Sequence, residues 1–425
     1  MDEQGAGGEA AEIHILFGSR RDAERRIAGV RALARIVRVF EEAGLVSVSV
    51  VLGEEGELWA AVVEDLARVA PGVRVQLLHA AGAAPAPSAG EVLAFSGEHL
   101  VAVGAVRRFL AGHEPCLIWR GRPIARRIAG GMLPRSPKQL LTFAGEADNL
   151  DDDEVVPLAS PLAATRALLC RSGKASDGPV SRWLNRPISR PISAICLAIP
   201  WLRPNHVTFV TAVIAIVMFG CFLFGGPVAI LVGGILFHVA SVVDGVDGEM
   251  ARVSFRSSMS GAMFDIIVDR LTILAFFLGI TIAMARTEGW YHALVGGWGF
   301  AAAAIGVLIL ARVLRRIEPP RSYWVMEKVV RRRFPAPPLK WIVDFLATCI
   351  RRDVFSFVFP LMMVLGAPWS VTWVFTGFTT LWLAVVLGTT PSILRGSVQP
   401  HGQPAAGEAA AAGEGAAAAK ASKAA

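Results

Sequence analysis

Cysteine is scarce in this chain. Cys116, Cys170, Cys196, Cys221 and Cys349 are scattered over 425 residues, with no CxxC spacing among them. That excludes a disulfide framework and a zinc site built on paired cysteines. Residues 1–11 carry no basic patch followed by an apolar stretch. The start of the chain therefore does not read as a cleavable signal peptide, and the N-terminal region is expected in the cytoplasm. Charged residues are also few, at 18% against 54% hydrophobic. With a mean hydropathy of +0.51, the chain is too apolar for an ordinary soluble protein. The net charge of +7 is modest. Its basic residues stand beside apolar spans, which points to an anionic membrane surface or phosphate substrates and not to nucleic acid.

The order of segments follows from periodicity. Residues 1–11 form a flexible start. Residues 12–165 alternate short apolar runs with helical patterns: strands near 13–17, 46–52, 73–78 and 92–95, and helices over 30–43 and 58–69. Gly44 ends the first of those helices, and the Ala, Pro and Gly of 80–90 make a loop. Such alternation predicts a soluble α/β domain on a parallel sheet. Residues 166–203 are basic and amphipathic. Trp183, Leu184 and Ile188 can lie among lipid headgroups while Arg182, Arg186 and Arg190 face phosphates. Six apolar spans follow within 204–390, near 206–225, 228–250, 260–285, 290–313, 353–367 and 369–390. The fifth is short against the roughly 20 residues a crossing needs. Connections at 225–227, 286–289 and 366–368 carry little positive charge, whereas 182–203, Arg252, Arg256 and 315–352 are rich in it. By the positive-inside rule both termini are cytoplasmic, which in a bacterial-type cell means the inner face of the plasma membrane. Residues 391–425 read as a disordered tail.

Between the second and third spans the sequence changes character. Asp244, Asp247, Gly248, Ala251 and Arg252 are followed by Gly261, Asp265 and Asp269. Acidic residues in apolar spans are rare and mark function by default. Asp244 and Asp247 are i,i+3, and Asp265 and Asp269 are i,i+4, so each pair shares a helix face. Two helices presenting paired carboxylates to each other suit hard divalent cations, which take oxygen ligands. Gly248 and Ala251 are small enough for a flat group to lie against the helix. Arg252 can pair with a phosphate through two donors. With the N-terminus inside, this region opens towards the cytoplasm.

The pattern D-x2-D-G-x2-A-R-x8-G-x3-D-x3-D, present here at every fixed position, resembles the signature of the CDP-alcohol phosphotransferase family. The resemblance implies a six-helix transmembrane bundle that moves a phosphoalcohol from a CDP-alcohol to an acceptor hydroxyl and releases CMP. It implies Mg²⁺ or Mn²⁺ on Asp244, Asp247, Asp265 and Asp269, two ions about 3.5–4 Å apart, with Asp269 also acting as general base. It places Asn205, Thr208 and Ser258 beside the CDP group, together with Gly248, Ala251, Arg252 and Gly261. It further implies a homodimer and a role in phospholipid or polar phosphodiester synthesis. For the phosphate of an acceptor, the candidates are Arg182, Arg186, Arg351 and Arg352.

The N-terminal layout is similar to a sugar-phosphate nucleotidyltransferase domain, as in bifunctional inositol-phosphate cytidylyltransferase/phosphotransferase proteins. Active members of that group carry a glycine-rich loop after the first strand, where backbone N–H groups cradle phosphates. Here the place reads Phe17-Gly18-Ser19-Arg20-Arg21, with one glycine, and Glu98 stands near where an Asp would help hold a metal. This implies an inactive domain that docks or dimerises. Two alternatives stand beside this reading: a bifunctional enzyme that makes its own CDP-alcohol, and an acid-lined membrane transporter.

Overall fold

The computed structural model describes residues 12–52, 60–79, 91–129, 134–142, 147–174, 177–314, 348 and 351–394. The loop expected at 80–90, most of the basic stretch at 315–352 and the tail beyond 394 lie outside the described residues. The chain divides into two compact units. One comprises the chain up to Met218 with Ile235–Ala275, and the other Phe219–Gly234 with the chain from Phe276 onward.

The first unit opens with β1 (Glu12–Phe17), α1 (Arg20–Glu24), β2 (Arg26–Ile27), β3 (Val30–Arg31) and α2 (Ala32–Ala43). There follow β4 (Ser47–Leu52), α3 (Ala60–Val69), β5 (Arg74–His79), β6 (Glu91–Ser96), β7 (His99–Val101) and α4 (Val103–Ala111). The segment closes with β8 (Cys116–Trp119), β9 (Arg122–Ala129), β10 (Asp148–Asn149), β11 (Val155–Pro157) and α5 (Pro161–Arg171). Gly44, at φ 101°, caps α2 in the left-handed conformation that favours glycine, as its position predicts.

The main sheet has the order β10-β8-β9-β6-β1-β4-β5. Its β1, β4, β5 and β6 pair in parallel, as the strand–helix alternation predicts. The other half departs from that expectation, because β9 runs antiparallel to both β6 and β8. The cause is a two-residue hairpin. Trp119 pairs with Arg122, and Arg120 and Gly121 between them take φ 50° and 72°. Two consecutive positive φ values match the twist of antiparallel strands and turn the chain straight back.

The basic segment starts within α5, and its later part is a π-helical turn, Ser181–Asn185, that continues as α6 (Arg186–Ala198). Trp183 is 80% exposed, and Ile188, Ile192 and Ile195 line an exposed face at helical spacing. This is the apolar face an interfacial helix needs.

Among the described residues, five helices are long and apolar enough to cross a membrane, which supports an integral membrane protein. They are α7 (Pro204–Phe224), α8 (Pro227–Val253), α9 (Met259–Thr287), α10 (Tyr291–Leu314) and α12 (Pro368–Leu394). The sixth expected span is a helix, α11 (Arg352–Val364), but its 13 residues fall short of a crossing. Charge at Arg351, Arg352 and Asp353 bounds it on one side. Gly366, in the left-handed region at φ 82°, turns the chain on the other. The last helix runs through Pro391 to Leu394, past the expected limit at 390. In the second unit α10 packs along α12, where Thr376 donates to the Val295 carbonyl at 2.8 Å and Trp298 Nε1 to Thr380 at 3.0 Å.

Candidate active site

Each face of the last turns of α8 has its own partner. Val246, Met250 and Val253 recur at i, i+4 and i+7 and are buried in one apolar core with Ile15, Leu33 and Phe95 of the sheet domain. Gly245, Glu249 and Arg252 point elsewhere. A Cβ on Gly245 would stand 3.6 Å from Arg186 Nη1 and 3.7 Å from Ser189 Cβ, so α6 crosses close to this side. The third face carries Asp244, Asp247, Gly248 and Ala251, again at helical spacing.

That third face meets α7 and α9. Thr208 of α7, itself buried, donates its hydroxyl to Asp247 Oδ2. Asp247 is only 4% exposed, and the charges of Asp265 and then Asp244 reach it and repel its own. On α9, Val268 and Thr272 are buried alongside the Gly261, Asp265 and Asp269 side, whereas Ile266, Ile267, Leu271 and Leu274 are exposed on the opposite face. The helix thus offers one polar and one lipid-compatible face, and this puts Asp265 inward.

The entrance is built by three small polar groups. A Cβ on Gly261 would stand 2.9 Å from Ser258 Oγ and 3.0 Å from Asn205 Oδ1. Gly261 N–H donates to Ser258 Oγ at 3.0 Å. Only hydrogen at this position lets the start of α9, Ser258 and the first turn of α7 come together. Arg252 Nε donates to the Ser172 carbonyl at 3.0 Å. Its Nη1 would lie 3.0 Å from a Cβ on Gly248. Its Nη2 is buried with no hydrogen-bond partner among the described residues.

The structure therefore brings together Thr208, Asp244, Asp247 and Asp265, then Asn205, Ser258 and Gly261, and then Gly248 with Arg252. The donor set is all oxygen and crowded with like charge, which fits a hard divalent cation in chemistry. Among the described residues, no three His, Cys, Asp or Glu side chains converge closely enough to hold one ion.

Arg186, one of the acceptor-phosphate candidates, is buried and held by two carboxylates. Nε and Nη2 each bond Asp177 at 3.0 Å, and Nη1 bonds Glu249 at 2.7 Å. Burial works against the Asp177 charge, but Arg186 outweighs it and holds that carboxyl below its ordinary range. Arg182 is exposed on the turn before α6. Arg351, in the second unit, lies 3.5 Å from Asp353, with Arg352 next to it at the start of α11. In the sheet domain, Glu98 is exposed on the turn between β6 and β7.

Glu249 was not foreseen. It is 1% exposed and accepts from Ser189 at 2.7 Å and Ser193 at 2.5 Å besides Arg186. The signal was present: a further acid within the same apolar helix, opposite two serines spaced i,i+4 on the amphipathic segment.

Two arginines of the sheet domain also hold the end of α8. Arg35 is buried and donates to the carbonyls of Ile27 at 2.8 Å, Ala28 at 2.9 Å and Val253 at 2.5 Å. Burial pushes Arg35 down to about 9, still protonated at neutral pH. Arg68 donates to the Ser254 carbonyl at 3.0 Å. Cations on the last carbonyls of a helix satisfy acceptors that have no partner within it.

Comparison with known proteins agrees with this geometry. Residues 201–390 match the family described as CDP-alcohol phosphatidyltransferase. Three curated relatives carry the name "Bifunctional IPC transferase and DIPP synthase". That from Thermococcus kodakarensis is 37% identical over 115 residues, 27% of this chain and 25% of the relative. That from Archaeoglobus fulgidus is 34% identical over 125 residues, 29% of this chain and 24% of the relative. That from Rubrobacter xylanophilus is 40% identical over 125 residues, 28% of each. The chain thus spans about a quarter of the length of the curated relatives it matches. Residues 201–390, which carry the four motif aspartates on α8 and α9, are thus similar to the CDP-alcohol phosphatidyltransferase family over one continuous stretch.

Proposed function

We propose that this protein moves a phosphoalcohol from a CDP-alcohol onto an acceptor hydroxyl and releases CMP. The observation that carries the reading is the gathering of Asp244, Asp247 and Asp265 on the one α8–α9 face that also holds Gly248 and Ala251. Asn205, Ser258 and Gly261 bound the place where the nucleotide lies, and small residues on α8 let it approach the backbone. Arg252 is held by Ser172 and keeps Nη2 for the diphosphate. The acceptor oxygen attacks the phosphorus that carries the alcohol. The bond from that phosphorus to the CMP oxygen breaks, and CMP leaves with the electron pair. Asp269, one turn from Asp265, takes the acceptor proton. Divalent cations on Asp244, Asp247, Asp265 and Asp269, two per site as Mg²⁺ or Mn²⁺, supply neutralisation of the diphosphate charge when bound.

The site opens to the cytoplasm in this reading, supported by the arginines that flank the ends of α7, α8 and α9. The domain works as a homodimer in the plasma membrane and makes a phospholipid or a polar inositol or glycerol phosphodiester. The test is CMP release by the reconstituted full chain, offered a panel of CDP-alcohols with inositol phosphate, glycerol phosphate and lipid acceptors. Release is expected with at least one pair, and is expected to be lost on chelation of divalent cations and in Asp265→Asn. Ion flux through the same vesicles, with no CMP from any pair, would favour the transporter instead.

A further inference from the structure

Five arginines gather where the sheet domain meets the ends of α7, α8 and α9, and the transfer reaction uses none of them. Arg203 immediately precedes α7, and Arg256 lies in the connection between α8 and α9. Both therefore sit at the height of lipid headgroups, beside Trp201, which is 70% exposed. The sheet domain adds Arg26 and Arg31, cross-strand partners in β2 and β3, and Arg68 from the last turn of α3.

One carboxylate serves this group. Asp65 Oδ1 accepts from Arg68 at 2.7 Å, and Oδ2 accepts from Arg31 Nη1 at 3.0 Å and from the Arg31 amide at 3.1 Å. Arg26, Arg203 and Arg256 have no ion pair among the described residues. Arg256 has one long tie, from Nη1 to the Leu202 carbonyl at 3.4 Å. Gly29, in the left-handed region at φ 81°, locates the convergence: a Cβ there would meet Ser254 Cβ at 3.4 Å and Arg26 Nη2 at 3.9 Å. Burial, and then the neighbouring arginines, hold both Arg26 and Arg256 below the ordinary guanidinium value. Crowded like charges are costly unless an anion joins them. A general excess of basic residues on the cytoplasmic face does not account for the group. That bias concerns solvated loops next to spans, whereas three of these side chains come from a folded soluble domain.

We propose that Arg26, Arg203 and Arg256, backed by Arg31 and Arg68, bind a phosphate group at the membrane surface. Guanidinium donors match phosphate oxygens in pairs. An anionic lipid headgroup and a free phosphate share that chemistry. The site stands apart from the transfer reaction and does not depend on it.

The experiment titrates the detergent-purified full chain with dioctanoyl phosphatidylglycerol, dioctanoyl phosphatidylcholine and inorganic phosphate, and follows binding by calorimetry. Wild type is expected to bind an anionic probe, and R26Q/R256Q to bind it about 25-fold more weakly. This corresponds to about fivefold, or about 1 kcal/mol, per arginine. Loss confined to phosphatidylglycerol identifies a lipid headgroup, and the same loss with inorganic phosphate identifies a soluble ligand. Should the double variant not fold, R203Q, at an exposed position, is expected to weaken binding about fivefold. Equal binding by wild type and variants to every probe, or no binding of either anion by wild type, overturns the proposal.

Discussion

The loop after β1 and the polar face of α8 make opposite use of charge. In the loop, both acids are answered by a nearby arginine. Arg20 pairs with Glu24 at 2.7 Å, Arg25 with Asp22 at 2.6 Å, and Ser19 bonds Asp22 at 2.8 Å. The loop winds into α1 and spends its polar atoms on itself, where a phosphate cradle would leave N–H groups free. Asp244 and Asp247 on α8 face Asp265 on α9 with the same sign. The one region satisfies its acids within itself. The other holds a frustrated charge arrangement of the kind that clusters at functional sites. Glu249 and Arg186, one helix face away from the aspartates, belong with the first region by the same criterion, since they answer each other.

The largest test of this division removes Glu249. Glu249→Ala breaks a buried, hydrogen-bonded pair and is expected to cost about 3–5 kcal/mol of stability. Glu249→Gln, which can still accept from the serines, should cost less. Unfolding of each variant in detergent measures this. If CMP release vanished while the unfolding midpoint stayed at the wild-type value, Glu249 would have to be moved to the chemical side.

A smaller effect separates the aspartates. Asp269→Asn keeps the size and one oxygen of the side chain but loses the base. Turnover is expected to fall roughly 10²-fold or more, about 2.7 kcal/mol, with CDP-alcohol binding retained. Asp244→Asn and Asp265→Asn should weaken metal binding first. Single-turnover CMP release along a metal titration distinguishes the two patterns. Loss of metal by Asp269→Asn as readily as by Asp244→Asn would send the search for a base elsewhere.

The smallest effect concerns the join. Arg35→Met leaves the carbonyls of Ile27, Ala28 and Val253 without this donor and is expected to cost about 1–2 kcal/mol. Limited proteolysis after α5 should speed up, while CMP release per folded molecule changes little. A loss of CMP release well beyond the loss of folded protein would show that the sheet domain sets the geometry of the aspartates.

Much of this was legible in the sequence, for reasons that differ by region. The motif reads clearly because helix geometry converts its spacings directly into faces, so Asp244, Asp247, Gly248 and Ala251 had to lie together. Strands β1, β4, β5 and β6 read as short apolar runs between helices. β9 did not, because Arg122, Arg126 and Arg127 interrupt its apolar pattern and its pairing depends on the turn at Arg120–Gly121. The bonds of Arg186 were not legible, because an amphipathic pattern shows which side of a helix is charged, not what the charge meets. Its partner Glu249 is 63 residues away. The hold of Arg35 on Val253 spans 218 residues and leaves no local trace at all.

The apolar core shared by the sheet and the end of α8 bears on how the chain is made. Residues 12–165 leave the ribosome before α8 exists, and a domain synthesised first folds first. Until Val246, Met250 and Val253 arrive, the core positions they fill in the finished structure stay open. The sheet domain is then a waiting receptor for the end of a helix that must first enter the bilayer. Synthesis past residue 253 supplies the last residues of that shared core and ties the end of α8 to the sheet.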